Sequence, residues 1–458
     1  MSSVKVTVVG AGSVVFSLGL VKDLCLTAGL TGSMVHFMDI DEERLDVVYR
    51  LAQRYAEDLG ADLQFARTLD RAKALDGADF VINTATVTHN EHFMKRRREM
   101  VAGHGYFYGR TGMPEYHNLQ LMLDVAQDVE RVAPEAWILL AGNPVFDGTT
   151  LMGRETEVKV CGLCHGHYGY RQVARAIGLD PDQVTWQAPG LNHNIWLTHF
   201  HYQGQDAYPL LDQWIAASIE QYWQENEEKG VPAQLSPAAI HQYRMYGLFP
   251  IGDTPRRGGW WYHTDLETRM RWYGAGGGGD TPAGRDRILK GKEEKYAQMK
   301  SAAYDAQVRP ITLFGDTKTT EQHIPIIDGL VNDNEYRAQV NVMNEGALPG
   351  LPDDVAVEVP AVVNRMGIQP LRVEPLPNKV MVECIYPDWL AMEQALEALL
   401  SGDKSMMLYG VLHSHQTRSY EQAVDVLEAL FDIEPNEPMA YIEDIRDHYA
   451  WPEHWAQP

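Results

Sequence analysis

The chain has 458 residues, 45% hydrophobic and 22% charged, an ordinary globular composition long enough for two packed domains. A net charge of −24 repels DNA, RNA and anionic membrane surfaces, so a small-molecule partner is expected and a nucleic acid or membrane is not. No apolar run reaches the roughly 18 residues of a membrane span, and four cysteines (Cys25, Cys161, Cys164, Cys384) are too few for a disulfide scaffold. The opening stretch MSSVKVTVVGAGSVVF lacks the basic, apolar and cleavage regions of a secretory leader. It reads as the first strand of a domain and points to the cytoplasm.

In chain order, strands are predicted at 4–9, 34–38, 79–85, 137–142 and 158–163, with helices at 14–29, 41–58, 117–133 and 168–177. Such alternation predicts an α/β fold, a Rossmann-type doubly wound parallel sheet with helices on both faces. Strand 4–9 is apolar at nearly every position, as a strand buried on both faces should be. From about 195 the pattern changes to long helices at 208–228, 236–247, 286–304 and 388–402, with a strand pair at 337–343 and 355–359. An α+β second domain is expected, giving domains 1–190 and 191–458. The Gly- and Trp-rich segment 255–284, with GAGGGGD at 274–280, reads as a mobile loop or as a lid.

Strand 4–9 runs directly into Gly10-Ala11-Gly12-Ser13-Val14-Val15-Phe16, and a helix pattern follows. Glycines there allow a tight turn and close approach to a pyrophosphate, which then meets the free N–H groups of a helix N-terminus. Asp39 ends the next predicted strand, placed to accept hydrogen bonds from a ribose, which favours NAD over NADP. Gly10, Gly12, Ser13, Val14 and Asp39 are therefore the candidate cofactor contacts. Val15 stands where a third glycine is usual.

Three further signals follow predicted strands, where open parallel sheets place ligands. They are Gly142-Asn143-Pro144, Cys164-His165-Gly166-His167, and Gly190-Leu191-Asn192-His193-Asn194. A thiolate with an imidazole suits a divalent metal, and only two protein ligands leave positions open for substrate hydroxyls, as in catalytic rather than structural sites. Cys161 and Cys164 also form a CxxC, which reads as a buried thiol pair or a redox pair.

GAGSVVF, GNP, CHGH and GLNHNIW, with the later YGLFPIGDTPRRGGWWYH (246–263), EQHIPI (321–326) and NVMNEGALPGLPDDVAVEVP (341–360), resemble the successive signatures of glycoside hydrolase family 4 over nearly the whole chain. The CHG form resembles the branch acting on non-phosphorylated α-glycosides, notably α-glucuronides. The resemblance implies NAD-dependent oxidation at sugar carbon 3, metal-assisted elimination and water addition, in contrast to two-carboxylate glycosidases. It also implies Cys164 and His193 as ligands of Mn²⁺ or another divalent metal. Asn143 would lie between cofactor and sugar, with Asn192 in the same pocket and His165 giving a proton to the leaving group. Asp253 is preferred as base over Tyr246 and Tyr262, with Tyr262 kept as a second catalytic candidate. Arg256 and Arg257 could receive a uronate carboxylate, because a guanidinium offers two parallel donors. The function expected is α-glucuronide hydrolysis by a homo-oligomer, dimer or tetramer. The alternatives are an α-galacturonidase, a neutral α-glucosidase or α-galactosidase, a lactate/malate-type NAD-dependent dehydrogenase, and a non-enzymatic NAD sensor.

Overall fold

The structure is a computed structural model that describes the chain except residues 1–2, 14–15, 88–90, 108–110, 113–114, 227–232, 275–280, 433–447 and 452–458. Val14, and all of the GAGGGGD stretch but Gly274, lie outside the described residues.

Six short strands open the chain: β1 (Lys5–Val9), β2 (Met34–Met38), β3 (Gln64–Thr68), β4 (Phe80–Asn83), β5 (Trp137–Leu140) and β6 (Lys159–Leu163). They pair in parallel in the order β3-β2-β1-β4-β5-β6. This is the doubly wound order, with its switch point between β1 and β4. The apolar runs predicted as strands are buried as expected: Val6, Val8, Val81, Ile82, Ile138, Leu139 and Leu140 are at most 1% exposed. Helices fill the gaps where the 3.6-residue period places them. Glu42–Leu59, for example, starts where the Asp41 carboxylate accepts from the Arg44 N–H at 3.0 Å and stops at left-handed Gly60.

The remaining strands are β7 (Val184–Gln187), β8 (Gly190–Leu191), β9 (Asn194–Leu197), β10 (His199–Tyr202), β11 (Gln205–Asp206), β12 (Phe249–Ile251), β13 (Tyr336–Met343), β14 (Ala356–Asn364) and β15 (Gly367–Pro370). The predicted pair at 337–343 and 355–359 is the β13–β14 hairpin, and it does not form a separate sheet. β13 joins β6 antiparallel, and the sheet continues through β14, β8 and β9 to β12. The boundary expected at 190/191 falls inside β8, and the main hydrophobic core draws on both halves of the chain. Strand pairing, which sequence periodicity does not report, is the reason. The segment read as a loop or lid contains the short helices Thr254–Arg257, Trp260–Tyr262 and Leu266–Tyr273.

The register aligns one row across this sheet: Thr68, Met38, Val9, Asn83, Leu140, Gly162, Asn341, Glu358, Gly190, Ile195 and Ile251. Each pairing from β6 onward is antiparallel, so β14 and β9 run with β1–β6, and β8 and β12 run against them. The turns that follow the row leave β1, β2, β5 and β6 at the C-terminal edge of the parallel strands, and leave β8 and β12 from strands of the opposite direction. They carry Gly10–Gly12, Asp39, Asn143, Cys164–His165, Asn192–His193 and Asp253. Among the described residues, no helix is long and apolar enough to cross a membrane.

Candidate active site

The nucleotide end of the edge is built from backbone. Gly10 sits at φ 83°, and a Cβ there would lie 2.5 Å from the Ala85 nitrogen, so only glycine fits. Asp39 accepts from the Gly12 N–H at 2.7 Å and the Asp41 N–H at 2.9 Å, which fixes the turn against the end of β2. Ser13 closes the turn by donating its N–H to the Gly10 carbonyl at 3.2 Å. A turn with glycine at 10 and 12 beside a carboxylate at the β1/β4 switch point fits a dinucleotide's pyrophosphate and ribose.

Next to it lies a cleft lined by Phe16, Asn143, Cys164, His165, His193 and Glu321 among others. Four residues expected from the sequence thus meet at one place. His193 occupies the turn between β8 and β9 at φ 64°, a left-handed position for a non-glycine residue. The next residue anchors this turn: the Asn194 amide donates to the Cys384 carbonyl at 2.8 Å and to Asp388 at 2.9 Å, and accepts from the Trp196 indole at 2.8 Å. Asp253 arrives from β12. Gly252, at φ 69°, packs where a Cβ would be 2.6 Å from the Gly166 Cα, which draws the Asp253 turn onto the Cys164–His167 loop. Thr254 ties it to β9, its hydroxyl accepting from the Ile195 N–H at 2.8 Å. The Asp253 carboxylate then lies 3.4 Å from His193 Nε2 and 3.2 Å from the Arg256 guanidinium.

The donor set fits a soft-to-borderline divalent cation. Burial pushes the Cys164 thiol up to about 12, with Glu358 adding to the rise, so it needs a cation at the sulfur to ionise. Burial also holds His193 below its ordinary value, leaving the neutral imidazole that ligates metals. Among the described residues no group of three or more His, Cys, Asp or Glu side chains is arranged to hold a metal. Cys164 and His193 both line the cleft. Cys161 is fully buried in β6, and both it and Cys164 are free thiols.

Three expected site residues lie elsewhere or are engaged. Tyr262 is fully buried and exchanges a 2.7 Å hydrogen bond with His241 Nδ1, in a nest with Trp261, Trp272 and Tyr273, so its hydroxyl does not reach the cleft. Asn192 is 3% exposed and donates to Glu358 at 3.0 Å, beneath the cleft rather than facing it. Arg256 is engaged with Asp253, whereas Arg257 is exposed and its charge acts on His193 and Asp147.

Four acidic or basic groups carried no assigned role in the sequence. Glu358 is 1% exposed, and burial pushes its carboxyl up to about 7. Asp147, in the first turn of helix Val145–Glu155, is pushed up to about 6 by burial, with Arg257 opposing the rise. Glu321 lies 2.8 Å from His165 Nε2 and 3.3 Å from His323 Nδ1. Glu321 and His323 fall within the EQHIPI segment and Glu358 at its end of the VEVP stretch, but one acid among apolar residues gives no sign of what it faces.

The Glu321–His165 pair has a pH signature. Burial pushes Glu321 up, but hydrogen bonds and charge from the two histidines outweigh it and hold the carboxyl at about 2. Glu321 in turn raises His165. The carboxylate's contribution is present above its ordinary 4.5 and lost as pH falls toward 2, while the imidazole's is full below 6.5 and lost as pH rises through its raised value. Glu321→Gln is therefore expected to destabilise the fold most between pH 4.5 and 6.5. A urea-melt difference that is flat from pH 4 to pH 9 would contradict the pairing.

Comparison with known proteins gives one family. Residues 5–179 match the family described as Family 4 glycosyl hydrolase, and residues 188–417 match the Family 4 glycosyl hydrolase C-terminal domain. An α-galactosidase of Rhizobium meliloti (strain 1021) is 24% identical, over 90% of this chain and 84% of its own. An α-galacturonidase of Lachnoclostridium phytofermentans is also 24% identical, over 89% and 90%. Among solved structures, a 6-phospho-α-glucosidase from gut microorganisms, in complex with NAD and Mn²⁺, superposes with a TM-score of 0.75 at 18% identity, covering 96% of this chain and 99% of that one.

Proposed function

The chain belongs to glycosyl hydrolase family 4, and from that premise we propose that it cleaves the α-glycosidic bond of a non-phosphorylated sugar, an α-glucuronide first, using NAD and a divalent cation, Mn²⁺ first. The observation that carries this reading is the meeting of Asn143, Cys164, His165 and His193 in one cleft beside the Gly10–Gly12 turn. The complex of a similar fold with NAD and Mn²⁺ supports the choice of cofactors.

Bound there, NAD would take up and return a hydride at sugar carbon 3, while the cation would polarise the oxygens on carbons 2 and 3. The chain's own residues do the rest. Cys164 and His193 hold the cation, and Asn143 at the cleft wall orients the sugar against the nucleotide turn. Asp253, beside His193, takes the proton from carbon 2. His165, held by Glu321, gives a proton to the departing oxygen. In the lactate/malate-type alternative only the β1–β6 half has a counterpart task, and Cys164 with His193 has none.

The uronide preference is supported by the CHG triplet, by an α-galacturonidase among the relatives and by Arg257 close to His193. Since Arg256 is committed to Asp253, Arg257 is the partner proposed for the substrate carboxylate. Losing a charge-assisted hydrogen bond costs ~1.5–3 kcal/mol, which is about a ten- to hundredfold drop in kcat/KM. Arg257→Ala should show this drop on the uronide and little change on the matching neutral glycoside. Nitrophenyl α-glucuronide, α-galacturonide, α-glucoside and α-galactoside, assayed with NAD⁺, Mn²⁺ and a thiol reductant, provide the test. A wild-type preference for a neutral sugar would discard the uronide, and stoichiometric NADH release without aglycone would discard the glycosidase.

A further inference from the structure

Glu358 occupies a position where a sheet usually holds valine or threonine. It lies in β14 with Asn341 of β13 on one side and Gly190 of β8 on the other. It is 1% exposed, and among the described residues no lysine or arginine pairs with it. One carboxylate oxygen accepts from the Asn192 amide at 3.0 Å and, more weakly, from Asn341 at 3.4 Å, while the other has no hydrogen-bond partner. A buried carboxylate without a cation is strongly unfavourable for the fold, so its presence calls for a compensating task.

Asn192 shows what that task is. The Asn192 amide turns its NH₂ end to Glu358, donating to the carboxyl oxygen at 3.0 Å. The same side chain acts on the Cys164 thiol, opposing the rise that burial imposes. Asn192 also directly precedes His193 in the β8–β9 turn. One buried acid thus fixes the amide that acts on one cleft donor and shares a turn with the other.

We propose that Glu358 is a positioning residue for the metal centre: through Asn192 it directs an N–H at the Cys164 sulfur, and its own negative charge, with that of the thiolate, balances a divalent cation. The proposal rests on the reading of Cys164 and His193 as the ligands. Outer groups that orient metal ligands typically change metal affinity by about 10- to 100-fold when removed. A carboxylate that helps to balance the cation should act at the upper end of that range. Without metal, Glu358 only costs stability, so its neutral isostere should not weaken the metal-free fold.

The test is Mn²⁺ binding to the full chain, followed by the paramagnetic resonance signal of free Mn²⁺, with NAD⁺ affinity and metal-free Tm measured alongside. Glu358→Gln is expected to weaken Mn²⁺ binding about 10- to 100-fold, with NAD⁺ affinity unchanged and a metal-free Tm equal to or above that of the wild type. Asn192→Ala should weaken Mn²⁺ comparably, and the double variant should lose little more, because both act through one bond. With Co²⁺ as the probe, both variants should shift the sulfur-to-metal absorption band. Unchanged Mn²⁺ affinity in Glu358→Gln, or a loss that follows a lowered metal-free Tm, would overturn the proposal. If Glu358→Gln does not fold, Asn192→Ala decides by the same criteria. A wild-type chain that binds no Mn²⁺ would instead sink the ligand reading itself, so the two failures are distinguishable.

Discussion

Cys164→Ser is expected to abolish Mn²⁺-supported turnover while leaving NAD⁺ binding largely intact. The two sites sit on different strand ends: the nucleotide turn is built on β1 and β2, and Cys164 follows β6. Serine keeps the shape but replaces a polarisable thiolate donor with a neutral hydroxyl that does not ionise near neutral pH. With only His193 left beside it in the cleft, a cation would keep a single protein donor of the proposed pair. The effect should exceed the roughly 10- to 100-fold typical of outer-sphere changes. Activity against Mn²⁺ concentration, with NAD⁺ affinity from fluorescence quenching, checks it. Full wild-type activity after exhaustive chelation and removal of nucleotide would show that neither cofactor is needed.

What the sequence disclosed and what it hid follow from the range of the signals. Strand–turn–helix patterns are local, so five of the six parallel strands and helices such as Glu42–Leu59 and Tyr386–Ser401 were legible to within a few residues, whereas β3 and the helices Glu91–Gly103, Val145–Glu155 and His323–Asn332 were not. Gly10, Asn143 and Cys164 were legible because each follows a recognisable strand, and an α/β sheet brings such ends to one edge, whereas His193 was legible through the GLNHNIW signature. The pairing of β13 with β6 was not, since it joins residues far apart in the chain. Tyr262 shows the opposite limit. A tyrosine near an Asp-Arg-Arg turn looks catalytic in sequence, but the turn Thr254–Arg257 directs the chain away from the cleft into an aromatic nest. Glu358 was hidden because alternation in a strand reports which face a residue takes, not which polar group waits there.

Asp253→Asn is expected to slow exchange of the carbon-2 proton by at least ~100-fold, the lower scale for loss of a general base. Asparagine preserves the volume and can still meet Arg256, but it has no carboxylate to take a proton. Position favours Asp253: its carboxylate lies 3.4 Å from His193 Nε2, hence beside any cation that His193 holds, where a carbon next to a polarised carbonyl is most acidic. The two tyrosines weighed against it are badly placed. Tyr246 is buried edge-on against Trp196, with its hydroxyl pushed well above the ordinary value by that burial, and Tyr262 spends its hydroxyl on His241. The measurement is turnover in heavy water with NMR of the released sugar. Wild type should place deuterium at carbon 2, Asp253→Asn should do so only at the slowed rate, and Tyr246→Phe and Tyr262→Phe should exchange near the wild-type rate. Absence of deuterium at that carbon in the wild-type product would reject elimination altogether. Loss of exchange in either tyrosine variant, with Asp253→Asn unaffected, would move the base to that tyrosine and require the cleft to rearrange when sugar binds.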